Sequence, residues 1–187
     1  LVIIMSKFCY YIELAIKKGV EAMKFFTGKD EAVLLVSNSI INQASKMGLG
    51  MTHMKLQKLI YFVYKKYLKD YDIKLFDNPI ESWRLGPVIR VVYDEYSKFG
   101  KENINHIYAK TNISGEKRVV SFERKDFYDA LEYVLDKYGN LDGWDLSQIT
   151  HVPGTAWAIA YEDNGRPLDD EDIIKEEWYD IEAVYRR

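Results

Sequence analysis

The stretch HMKLQKLIYFVYKKYLKDY, residues 53–71, decides the fold. Its apolar residues Leu56, Leu59, Ile60, Val63 and Tyr67 recur at the period of a helix face turned to a core. Thr52 precedes them with a hydroxyl that can accept from the first free backbone amides, so the helix is predicted to start there. Lys55, Lys58, Lys65, Lys66 and Lys69 fall largely outside the stripe. They read as a solvated basic face, with docking on an acidic partner as the second reading.

Outward from this helix the chain keeps the same character. EAVLLVSNSIINQASKMG, residues 31–48, places Val33, Val36, Ile40, Ala44 and Met47 at helical spacing, and Gly48 is a natural stop. After an Asn78-Pro79 loop comes ESWRLGPVIRVVYDEYSKFG, residues 81–100. There Gly86 permits an unusual backbone and Pro87 suits the first turn of a helix, whose apolar face is Val88, Val91, Val92 and Tyr96. Residues 107–122, IYAKTNISGEKRVVSF, carry β-branched residues on both sides of Ser114-Gly115 and suggest a short hairpin. A helix over 126–138 ends at Gly139, a short one covers Trp144 to Ile149, and Thr155 caps another that contains Trp157 and Tyr161. Residues 163–187 read as an acidic C-terminal helix laying Ile173, Ile174, Trp178, Ile181 and Val184 on the body. The expected fold is mainly α: a compact single helical domain with one short β-hairpin near residues 107–122.

Composition narrows the function without naming a chemistry. The chain has 187 residues, 48% of them hydrophobic, which excludes a disordered protein. Its net charge of −3 argues against a dedicated nucleic-acid-binding domain, which is usually basic because it must neutralise phosphates. One cysteine, Cys9, and the scattered His53, His106 and His151 give no multi-cysteine zinc site and no close ligand pair. No nucleotide-binding or hydrolase signature appears, and no cofactor is implied. Residues 1–16, LVIIMSKFCYYIELAI, are interrupted by Lys7 and Glu13 and fall short of the roughly 18 apolar residues of a membrane span. The codons of Lys17-Lys18-Gly19-Val20 can spell a ribosome-binding sequence ahead of Met23. Residues 1–22 therefore read as a translated leader, or else as a genuine N-terminal helix. The expected location is cytoplasmic.

Three blocks then become recognisable together. KLQKLIYFVYKKYL (55–68), ESWRLGPVIRVVYDEY (81–96) and LSQITHVPGTAW (146–157), with a helix ending in Lys137-Tyr138-Gly139 between the last two, resemble the Panacea domain, the family of SocA-like antitoxins. The matching residues are Lys55, Leu56, Gln57, Lys58, Leu59 and Tyr61; then Trp83, Gly86, Pro87, Val88 and Tyr93; then Leu146, Thr150, His151 and Trp157. The resemblance covers roughly residues 29–162, and the Panacea-like helical domain is expected over residues 23–162. It implies a bacterial or prophage protein, not an enzyme, that neutralises a toxin encoded beside it by direct binding. One branch of the family is described as an adaptor that delivers its toxin to an ATP-dependent protease. This chain departs from the family in one place: Val152-Pro153-Gly154-Thr155 stands where an acidic residue often follows the histidine.

Each matching residue has a bland and a functional reading. Leu56, Leu59 and Tyr61 belong to the core stripe, and Gly86, Pro87 and Val88 set a local backbone. Gln57 and Lys58 are polar enough to line a groove, while Trp83, Tyr93 and Trp157 either fill the core or anchor a partner. Arg84 suits a bidentate pair with a carboxylate, within the chain or on a partner. His151 is either a structural hydrogen-bonding residue or the centre of a hydrolase-like site completed by acids brought close in the fold. The candidate partner-binding set is thus Gln57, Lys58, Trp83, Arg84, Tyr93, His151 and Trp157. The expected partners are a cognate protein toxin and, in the adaptor reading, a protease; no membrane and no metal are called for.

Overall fold

Two consecutive helices form the centre of the molecule, which a computed structural model describes for residues 30–108, 119–120 and 124–185. Helix α1 (Glu31–Lys46) is buried on every face over residues 31–41. Its polar residues are satisfied without solvent: Ser37 and Ser39 each donate to the carbonyl one turn back at 2.8 Å. The Asn38 amide donates to the Tyr108 carbonyl and accepts from the Tyr96 hydroxyl. Met47, expected inward, is exposed beyond the last turn, and Gly48 takes the positive φ that ends the helix. Residues 1–22, read from the sequence as a leader or an N-terminal helix, lie outside the described residues, as does most of the hairpin expected over 107–122.

Helix α2 (His53–Tyr71) starts where the sequence indicates, with the Thr52 hydroxyl accepting from the Lys55 amide. Leu56, Leu59, Ile60, Val63 and Tyr67 are all completely buried. After it come two short antiparallel strands, β1 (Glu81–Trp83) and β2 (Gly86–Val88), in the register Glu81↔Val88, Ser82↔Pro87, Trp83↔Gly86. Pro87 therefore lies in a strand and not in the first turn of a helix, a position open to it because among the described residues this ribbon has no third strand to receive an N–H. Helix α3 (Arg90–Tyr96) begins only after Ile89 and buries Val92 and Tyr96. Helix α4 (Lys125–Tyr138) presents Phe127, Leu131, Val134 and Tyr138 to the core, and α5 (Gly143–Thr150) and α6 (Ala156–Glu162) follow. Asp142 caps α5, and Thr155 caps α6 as its sequence position indicates.

The acidic C-terminal helix expected over 163–187 is not continuous. It consists of α7 (Asp170–Lys175) and α8 (Ile181–Tyr185), separated by an extended backbone at Glu176. The physical reason is the Glu176 side chain, which turns inward and is 3% exposed. Its carboxylate accepts from the Tyr61 hydroxyl at 2.5 Å, the Lys65 ammonium at 2.6 Å and the Ala156 amide at 2.7 Å. The last contact places a negative charge at the start of α6, where the helix dipole favours it. Ile173 is buried, whereas Ile174 is exposed; Trp178, Ile181 and Val184 pack partly against the core.

The lysine face of α2 also differs from the solvated surface that its sequence suggests. Lys55, Lys58 and Lys65 are buried, and each ammonium reaches a backbone carbonyl: Gly139 at 2.6 Å, Pro87 at 2.9 Å and Glu177 at 2.6 Å. Lys69 adds contacts to the Ile174 and Glu176 carbonyls, at the end of α7. Lys66 stays near the surface and pairs with Asp70. Lys55 and Lys69 thereby complement the C-terminal ends of α4 and α7, where carbonyls are left without partners, whereas Lys58 serves a carbonyl of β2. Among the described residues, no helix is long and apolar enough to cross a membrane.

Replacing Glu176 by Gln removes the only carboxylate within salt-bridge distance of buried Lys65 among the described residues. Removal of one partner from a buried pair typically costs about 3–5 kcal/mol. Urea unfolding of Glu176→Gln is expected to show a loss of that order, and a loss under about 1 kcal/mol would contradict this account of the C-terminal segment.

Candidate functional site

The site is built around the β1–β2 hairpin, whose two turn residues are Arg84 and Leu85. Positive φ falls on Gly86 (+103°), a conformation that glycine adopts without steric cost. Space demands glycine as well: a Cβ there would stand 2.7 Å from Lys58 Cε and 2.7 Å from Thr150 Oγ1.

The hairpin is gripped by its main chain. The Gln57 amide pairs with both the N–H and the carbonyl of Ile89, at 2.8 and 3.2 Å. Lys58 donates to the Pro87 carbonyl, Ser147 to the Leu85 carbonyl at 2.9 Å, and Trp157 Nε1 to the Trp83 carbonyl at 2.9 Å. His151 Nε2 meets the Arg84 carbonyl at 3.1 Å, while its Nδ1 faces the Ser147 carbonyl. Four sequence-predicted residues, Gln57, Lys58, His151 and Trp157, are thus brought together as a clamp on one segment of backbone.

This arrangement decides between the readings of several side chains. Trp157 is 6% exposed and packs its ring against His151 and Tyr161, so it is a packing residue whose N–H is satisfied. His151 meets carbonyl oxygens on both ring nitrogens, with the Thr150 hydroxyl 3.3 Å from Nδ1. No carboxylate is hydrogen-bonded to it among the described residues. Trp83 is half-buried; it donates to Glu81 and lies between the Arg90 guanidinium, 4.6 Å above its ring, and Tyr93, 4.9 Å away. Arg84 and Leu85 stay exposed at the turn, and among the described residues no carboxylate pairs with Arg84.

Beside the hairpin lies an open cleft of about 390 Å³. One wall is α2, with His53, Met54, Gln57 and Lys58. The other is the hairpin, with Trp83, Arg84, Leu85 and Val88, and Tyr93 of α3 completes the lining. Five of the seven candidate residues share this cleft; His151 and Trp157 support the hairpin from its other side. Burial lowers the Lys58 ammonium to about 7, and His53 is lowered first by burial and then by Lys58 nearby. His53, Met54, Leu85 and Ser147 are the contributors that sequence reasoning missed. The available signal was spacing: His53 stands one turn before Gln57, and Ser147 one turn before His151. Among the described residues, no group of three or more His, Cys, Asp or Glu could hold a metal ion.

Two measurements test this geometry. Gly86→Ala combines a positive φ with two close contacts and is expected to cost at least about 2 kcal/mol in urea unfolding. For Lys58, the unfolded chain keeps a proton that the folded chain gives up above pH about 7. Stability should therefore rise with pH from about 7 towards the ordinary lysine value of 10.5. That rise should be smaller in Lys58→Met measured in parallel, because Lys55 and Lys65, also lowered by burial, still contribute to it.

Comparison with known proteins agrees with the three sequence blocks, all of which take part in the clamp. A family model described as Antitoxin SocA-like, Panacea domain, matches residues 56–158. Antitoxin SocA of Caulobacter vibrioides (strain NA1000 / CB15N) is 32% identical over 126 residues, covering 66% of this chain and 67% of its own length. No solved structure matches the chain significantly. With a family match over more than half of its length and this relative beside it, the chain belongs to the Panacea-domain family of SocA-like antitoxins.

Proposed function

We propose that this protein is an antitoxin that neutralises a toxin encoded beside it by direct binding and without catalysis, through the hairpin tip and the adjoining cleft. One observation carries the reading: Arg84 and Leu85 stand exposed at a turn whose backbone is fixed by five side chains, and among the described residues neither side chain makes a hydrogen bond or ion pair. A rigid backbone that presents an arginine and an apolar side chain loses little freedom on binding. Arginine is among the residue types that dominate interface energetics, and Trp83 and Tyr93 supply aromatic surface behind it. In the acidic C-terminal segment, Glu176 pairs with Lys65 inside the fold, and Asp170, Asp172 and Asp180 pair nearer the surface with Lys74, Arg166 and Lys137.

The test is growth with the product of the adjacent reading frame induced, with and without this protein, followed by co-purification. Wild type is expected to restore growth and retain the toxin. Arg84→Glu and Leu85→Asp should each weaken the complex by at least about thirtyfold, the scale of an interface hot spot. Their melting temperatures should stay within about 2 °C of wild type, as expected for exposed positions. Undiminished affinity in both variants would refute the hairpin as the binding element. Rescue that disappears when the host's ATP-dependent protease is removed would show delivery in place of occlusion.

A further inference from the structure

We infer that the cleft beside the hairpin is a carboxylate pocket, which receives an aspartate or glutamate side chain of the partner protein between Lys58 and His53. The inference rests on the antitoxin reading above and adds the chemistry of the group that the partner inserts.

The cleft is lined by basic groups, Lys58, His53 and Arg84, and among the described residues no carboxylate lines it. Lys58 bounds it while being only 1% exposed, which places this residue at its floor. Its ammonium has three N–H donors and uses one, on the Pro87 carbonyl. Among the described residues, no carboxylate lies within 4 Å of it. His53 Nδ1, in the same lining, is buried and has no hydrogen-bond partner. His53 is also the first residue of α2, so the positive end of a long helix opens near the cleft. Arg84 adds a guanidinium at the rim. The nearest strand carboxylate, Glu81, does not line this cleft; it is held by Trp83 Nε1 and Arg90.

A buried cation without a counterion is costly, and a buried polar nitrogen without a partner is uncommon in native proteins. One incoming carboxylate answers both, because its two oxygens can accept from Lys58 and from the His53 ring together. The apolar surfaces of Trp83, Val88 and Met54 suit the methylene stem of an acidic side chain. The cleft volume of about 390 Å³ is ample for such a group.

The ionisable groups around Lys58 are His53 on α2, Arg84 on the hairpin and Tyr93 on α3. Helix α5 presents the Thr150 hydroxyl, which does not titrate, and His151 at its end faces the Ser147 and Arg84 carbonyls. None of these groups supplies a negative charge at neutral pH. An inserted carboxylate would therefore hold Lys58 protonated, whereas coverage by an apolar or neutral group would push it further towards the neutral form.

The opposite signs make the experiment decisive. Protein carrying carbon-13 at lysine Cε is titrated alone and in complex with the product of the adjacent reading frame. Alone, the Lys58 signal is expected to titrate near pH about 7. In the complex it should remain that of an ammonium from about pH 6 to about pH 9, close to an ordinary lysine. A complex in which Lys58 titrates at the same pH or lower overturns the carboxylate pocket and leaves the antitoxin reading standing. Failure of any complex to form overturns both. Lys58→Met provides a second measure: it leaves the Pro87 carbonyl without its donor and should melt below wild type, yet where circular dichroism shows it folded it should bind its partner at least about tenfold more weakly. Full affinity in a folded Lys58→Met protein overturns the pocket, and if that variant does not fold, the wild-type titration alone decides.

Discussion

The ion pair between Glu176 and Lys65 is the contact on which the rest of the architecture depends. It is fully enclosed, at 2.6 Å, and the same carboxylate also accepts from Tyr61 and from the first amide of α6. Glu176, at the end of α7, thereby joins α2, more than a hundred residues earlier in the chain, to the start of α6. Enclosed charges are tolerated only when their hydrogen-bonding capacity is filled, and Glu176 meets that condition with three donors. Because the charge must point inward, the backbone at Glu176 is extended and the acidic segment breaks into α7 and α8. Electrostatics here sets secondary structure and not the reverse.

Helix α2 acts as the common support for that arrangement. Its apolar face fills the core, while its lysines reach sideways to carbonyls at the ends of other elements. A long flexible side chain suits this work, since its stem packs among apolar neighbours and its head travels to a distant acceptor. Lys58 differs from its neighbours on the helix. Lys65 has a carboxylate, and Lys55 lies near the charge of Asp142, whereas among the described residues Lys58 has only a carbonyl.

Much of this was legible in the sequence, for identifiable reasons. The core stripe of α2, the caps Thr52 and Thr155, and the special backbone at Gly86 follow from local rules that involve few neighbours in sequence. What was not legible depended on partners distant in the chain. A lysine on a helix looks solvated until Gly139 or Glu177 is brought beside it. Glu176 is one acid among many in its segment, and nothing local distinguishes it. The hairpin was hidden because Gly86-Pro87 before a valine-rich run carries the signature of a helix start, and only its cross-strand pairing reveals a strand. The candidate site was legible as a set of residues but not as a division of labour: Gln57, Lys58, His151 and Trp157 hold, while Arg84 and Leu85 are held out.

That division has a consequence for how such a molecule can change over generations. The hydrogen bonds by which Gln57, Ser147, His151 and Trp157 hold this segment go to peptide groups, which every amino acid possesses. The identities of the two turn residues are therefore invisible to the scaffold that carries them. Mutations there can accumulate without penalty to folding, so a lineage can sample new targets while its architecture stays under unbroken selection.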